Sequence, residues 1–151
     1  MNEVILMAHV LFGVGCLLTT LWVLVDTLNA SPKNLARIHW LSKLAAACMW
    51  VAFAIGGYWY VVFYKVDKAI ILKGPWPFAH QFFMETKEHL VILLLLLVTY
   101  LPIAAAGNLV ANRDARRVVL VVATLIIGLA LTAEGDGAII AMGVKMGLLA
   151  R

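Results

Sequence analysis

His9, Glu85, Glu88, His89, Glu134 and Asp136 are the residues whose types and spacing could do chemistry in this chain. Each stands inside, or on the doorstep of, a long apolar run, where an ionisable group is costly to desolvate and so has a partner or a task. Three chemistries fit. The first is haem b held between His9 and His89. Neutral imidazoles bind iron well, axial ligands from two helices are a common way to hold haem, and Gly13 would leave room for the ring. In that case Glu85 or Glu88 would sit just behind the ligands, where a nearby carboxylate lowers the potential. The second is a carboxylate–histidine metal site. It would take Glu85, Glu88 and His89, with His9 and Glu134 or Asp136, like the inward-facing Glu/His sets of helical-bundle metalloproteins. The strict Glu-x-x-His motif is absent, because the spacing here is Glu85-x-x-x-His89 or Glu88-His89. Hard oxygen ligands would favour non-haem iron, manganese or zinc over copper(I). The third is a proton or ion relay, which intramembrane acids commonly serve.

Plainer roles compete for the same side chains. His39 and His80 read as hydrogen-bonded or interfacial residues. Glu85, Lys87 and Glu88 also suit the solvated first turn of a helix, where acids complement the positive end of the dipole. Trp59 and Trp76 fit an aromatic belt at a membrane–water boundary. Cys16 and Cys48 lie in separate apolar runs and read as small buried thiols, and the chain has no CxxC or Cys/His zinc spacing.

The elements that must position these residues are membrane-type helices. Of 151 residues, 64% are hydrophobic and 13% charged, too little polar surface to cover a water-soluble globule. The spans are expected at residues 4–28, 41–64, 83–106 and 118–133, each apolar over the roughly 20 residues needed to cross hydrocarbon. The fold expected is all-α, an integral membrane four-helix up-and-down bundle in a single domain, 1–151. Residues 65–74 read as a polar connection with an apolar middle. After 133, either the helix continues for more than 30 residues or it breaks at Gly135-Asp136-Gly137. Glycine on both sides of Asp136 favours the break, leaving 138–150 as an extra interfacial helix. The net charge of +4 is spread over the connections, which indicates topology and lipid contact rather than nucleic-acid binding. Basic residues divide almost evenly between the two ends: Lys33, Arg37, Lys43, Arg113, Arg116 and Arg117 on one, Lys65, Lys68, Lys73, Lys87, Lys145 and Arg151 on the other. The orientation favoured puts both termini on the outer side of a bacterial-type inner membrane.

This topology sorts the polar residues by depth. His9, His80, Glu85, Glu88, His89, Glu134 and Asp136 fall at one end of the bundle and His39 at the other. Helical phase then sorts them by face. His9, Gly13, Cys16 and Thr20 follow i, i+4, i+7 and i+11 and form one stripe of small or polar residues that should face the interior. Glu85 and His89 share a face, whereas His80 and His89 point in nearly opposite directions. Glu134 is expected to face the interior at the His9 end, with Lys87 and Lys145 as the nearest cations.

His9-Val10-Leu11 followed by small residues, Lys87 at the head of an apolar helix and Asn112-Arg113 after it resemble compact four-helix bacterial membrane proteins. That group comprises the copper-resistance D-like proteins and the J-type protoporphyrinogen oxidase. The resemblance covers three short stretches and implies haem b associated with His9 and Lys87. Haem b in electron transfer is therefore the leading expectation, in an oxidoreductase or a subunit of a respiratory-type complex working with a quinone or other membrane subunits. Transition-metal handling and a cofactor-free structural or homo-oligomeric subunit are the alternatives.

Overall fold

The computed structural model describes residues 2–150, and these are helical with short connections and no strand. Helix α1 covers Asn2–Leu28, α2 Leu35–Val62 and α3 Tyr64–Lys73. A π-helical segment, Ala79–Met84, leads directly into α4, Glu85–Ala105, and α5 covers Arg113–Leu149. Four of these stretches are long and apolar enough to cross a membrane: Glu3–Leu28, Leu35–Val62, Ala79–Ala105 and Arg113–Leu149.

The four long helices form a ring. Helix α1 packs on α2 and α5, and α4 packs on the same two, so α1 and α4 face each other diagonally across the core. The buried stripe of α5 runs Val119, Val122, Ala123, Ile126, Ala130, Ala133, Asp136, Ile140, Gly143 and Gly147. This three-four alternation turns one helical face towards its neighbours along the whole element. Outward residues such as Leu11, Val61, Leu96 and Ile103 are large, apolar and well exposed, a surface suited to acyl chains.

Side-chain hydrogen bonds and one ion pair fix the basic end. Asn34 Oδ1 accepts from the Ser31 amide at 2.8 Å, while its Nδ2 donates to the carbonyls of Asp26 and Asn29 at 3.1 and 3.0 Å. Arg37 grips Asp26 with two bonds, Nε to Oδ2 at 2.6 Å and an Nη to Oδ1 at 2.7 Å. Asn112 caps α5 by accepting from the amides of Asp114 and Ala115 at 3.0 Å each. Counting about 20 residues, or roughly 30 Å, from this end brings each long helix to the level of His9, Ile55, Lys87 or Glu134. The polar residues singled out above thus stand one hydrocarbon thickness away.

Several boundaries differ from the sequence reading, beginning with the second and fourth spans, which start at Leu35 and Arg113 instead of 41 and 118. Helix α5 does not break at Gly135-Asp136-Gly137: it continues for 37 residues, about 55 Å, and residues 138–149 are its outer third rather than a separate interfacial helix. Glycine lowers helix propensity by about 1 kcal/mol per residue. Here packing outweighs that cost, because Gly143 lies against Ala79 and Ile71, and Gly147 against Ile70. The supposed connection at 65–74 is largely helix α3, with Ile70 and Ile71 buried against this part of α5. The third span starts at Ala79 instead of 83, through the π-helical segment. Together α3, the π-helical segment and the outer third of α5 form a small apolar cap of Tyr64, Ile71, Ala79, Met84 and Ile140 above the His9 level.

Candidate functional site

Beneath the cap, side chains from three helices approach one another across glycines. Glu134 on α5 reaches α1 at Gly13: a Cβ there would stand 2.5 Å from Glu134 Oε1. Lys87 on α4 reaches α5 at Gly137, where a Cβ would stand 2.8 Å from its Nζ. Asp136 lies between these contacts in sequence, on the buried stripe of α5, only 5% exposed. Its Oδ2 is buried and has no hydrogen-bond partner among the described residues. The Lys87 ammonium lies within electrostatic reach of both Glu134 and Asp136. Among the described residues, though, the only ion pairs within 4.0 Å are Asp26–Arg37 and Asp114–Arg117, so Lys87 touches neither acid directly.

His9 sits one turn from the Gly13–Glu134 contact and turns its ring to α2. A carbonyl can only accept, so the bond of 2.8 Å between His9 Nδ1 and Ala52 O places the proton on Nδ1 and leaves the Nε2 lone pair free when the ring is neutral. Gly56 makes this possible, since a Cβ there would be 2.6 Å from His9 Nδ1. Gly56→Ala is therefore expected to displace the ring and cost about 1–3 kcal/mol, as overpacking does. Thermal unfolding in detergent measures the cost, and the His9 Nδ1–H resonance reports loss of the Ala52 bond.

The stripe expected on α1 faces inward, with Cys16 and Thr20 buried. Glu134 lies at the His9 end, as the up-and-down topology requires, and Lys87 is the cation near it. Lys145, the other expected cation, is exposed. The expected pairing of His9 with His89 is not assembled. His89 is exposed, its Nδ1 bonds the carbonyl of Glu85 on its own helix at 2.7 Å, and α4 is diagonal to α1. Glu85 and Glu88 are exposed on α4 as well, so the carboxylate–histidine metal set is split between the outer surface and the interior. Among the described residues no three His, Cys, Asp or Glu side chains converge as a metal site. The cause is helical phase: turning Lys87 inward towards α5 turns its neighbours Glu88 and His89 outward.

His80 is buried in the cap, where its Nδ1 shares a hydrogen bond of 3.1 Å with the Tyr64 hydroxyl. Burial pushes the Tyr64 phenol well above its ordinary value, so it keeps its proton. His39 is half-buried at the basic end, as expected from the topology. Sequence reasoning missed Gly56, Gly137 and Tyr64. The first two show as glycines one turn or less from small or acidic residues on interior stripes, but nothing in the sequence says which side chain fills the space. No family model matches the chain, and no curated protein or solved structure matches it either.

Proposed function

We propose that this protein is a membrane-embedded proton-handling subunit in which Asp136, with Glu134 and Lys87, takes up and releases a proton near the outer face of a bacterial-type inner membrane. The observation that carries this reading is the buried Asp136 carboxylate, whose Oδ2 has no hydrogen-bond partner among the described residues. Glu134 and Asp136 supply two negative charges and Lys87 one positive, so the set is short of one positive charge. In a low-dielectric interior such an imbalance is relieved by binding a proton or a small cation.

Infrared difference spectra of the protein in lipid test this directly. A carboxylic-acid carbonyl band that grows as pH falls, and that vanishes in Asp136→Asn, is the expected result. Spectra in which Asp136→Asn changes nothing would defeat the reading.

A second reading, haem b in electron transfer to a quinone or another membrane subunit, is favoured by one feature. The Ala52 carbonyl fixes the His9 tautomer with Nε2 free, the arrangement a ligating histidine needs. His9 would hold such a group from one side. His89 would not oppose it from the surface of α4, and Lys87, which the family resemblance connects with haem, faces α5. Two surface grooves of about 540 and 420 Å³ lie on the α2–α4 and α1–α2 faces, and neither is lined by His9, Lys87 or His89. When bound, haem would supply a one-electron redox couple. Protein purified from haem-replete cells should then show a reducible Soret band that is lost in His9→Ala, and a colourless preparation would dismiss this reading.

A further inference from the structure

We infer that the α2–α4 face holds one anionic glycerophospholipid from the leaflet at the basic end, its phosphate at Lys43 and an acyl chain in the groove beyond. The site lies away from Asp136 and is independent of proton handling there. The groove, of about 540 Å³, is lined by Trp50 and Phe53 from α2 and by α4 from Ile92 to Ile103. Between those two residues α4 rises about 16 Å, the depth of one leaflet in a hydrocarbon layer roughly 30 Å thick. Trp50 Nε1 donates to Thr99 Oγ1 at 3.0 Å, which pairs the indole N–H and ties the two helices together under the groove. Phe53 meets the Trp50 ring edge-to-face, with centroids 6.1 Å apart.

A cation stands at the basic end of this groove. Lys43 precedes Trp50 by two helical turns, so both lie on one face of α2. The Trp50–Thr99 bond, and Glu88 beside the Tyr60 hydroxyl further along, set the antiparallel register of α2 and α4. That register brings Lys43 opposite Ala105 and Ala106, where α4 ends, just past Ile103. Lys43 is exposed, and its ammonium lies 5.1 Å from the ring centroid of the exposed Trp40, one turn nearer the basic end. A lysine stem in hydrocarbon bends this way to carry its charge to the headgroup level. Among the described residues the ion pairs are Asp26–Arg37 and Asp114–Arg117, and no acid pairs with Lys43. Ala46 and Ala47 occupy the turn between Lys43 and Trp50, so on α2 only methyl groups separate the ammonium from the groove.

This order of groups fits one class of molecule. A phosphate meets the ammonium, the first methylenes pass the alanines, and the chain lies on apolar side chains. The Trp40 indole beside the ammonium adds a cation–π contact that holds it in place. In a zwitterionic lipid the phosphate is already countered by the lipid's own cation. Lys43 therefore favours a headgroup of net negative charge.

The test is native mass spectrometry of the full chain released from micelles containing equal amounts of phosphatidylglycerol and phosphatidylcholine. Wild type should retain one phosphatidylglycerol, preferred over phosphatidylcholine by about fivefold, the weight of one lysine at an anionic surface. Lys43→Met should abolish the preference. Ala47→Trp, at an exposed position, should fill the trough and remove the bound lipid. Unchanged melting temperatures without added lipid would show that both variants fold. Equal retention of the two lipids by wild type, or a preference that survives Lys43→Met, would overturn the headgroup assignment. Lipid retained in Ala47→Trp would overturn the groove, and no retained lipid in wild type would overturn the site altogether. A dimer that dissociates in Ala47→Trp would give this face to a second copy of the chain instead.

Discussion

Lys87→Met is expected to destabilise the protein by roughly 1–3 kcal/mol, the cost of leaving charged groups buried without compensation. Met fills much the same volume, so the loss would be electrostatic rather than a cavity. Lys87 is the cation within reach of both Glu134 and Asp136. Without it, two carboxylates share an apolar interior, and each disfavours ionisation of the other. Asp136→Asn removes one of those charges. The double variant should therefore be more stable than the sum of the single losses predicts, with a coupling of about 0.5–3 kcal/mol for groups acting in one network. Chemical unfolding of the four proteins in one detergent gives the cycle. Additive losses would mean that Lys87 and Asp136 ignore each other and that the cluster is only a coincidence of packing. The same variant separates the competing uses of Lys87. If Lys87 served merely as the solvated first turn of α4, Met would be nearly silent.

How much of this site could be read from the sequence depends on which physical rule fixed each residue. Depth was readable, because hydrophobic run length and the up-and-down order of spans place His9, Lys87 and Glu134 at one end without any knowledge of contacts. The inward stripe on α1 was readable too, since the spacing of His9, Gly13, Cys16 and Thr20 is a property of one helix alone. Pairing across helices was not. The choice between Lys87 and His89 as the inward residue of α4 depends on the rotation of that helix, which is set by its packing on α2 and α5 and prepared by the π-helical turn before it. An apolar run that is hydrophobic nearly all round carries little information about rotation. For the same reason the partners of Gly56 and Gly137 could not be named. Helix α3 was hidden by its three lysines, which face outward while Tyr64, Ile70 and Ile71 are buried.

Replacing two glycines of α5 by alanine should move stability in opposite directions. Gly135 is exposed and helical, and a Cβ added there meets no heavy atom within 4 Å. Gly135→Ala should therefore stabilise the protein by about 0.4–1 kcal/mol, because alanine loses less backbone freedom on folding and favours the helix. Gly147 is buried, and a Cβ there would stand 2.7 Å from both the Ile70 carbonyl oxygen and Ile70 Cγ2. Backbone cannot swing aside as a flexible side chain can, so α3 would have to move away from α5. Gly147→Ala should destabilise by about 1–3 kcal/mol. Hydrogen exchange adds the location of the damage: Gly147→Ala should expose the amides of α3 and of the π-helical segment, leaving α1 protected. The sign at Gly135 is the sharper arm of the pair. A chain that broke at Gly135-Asp136-Gly137 would place that glycine in a turn, where alanine gains nothing and is strained if the turn needs a positive φ. Stabilisation by Gly135→Ala thus supports an unbroken α5, the element that carries Glu134, Asp136 and Gly137 on one rigid register beneath the cap.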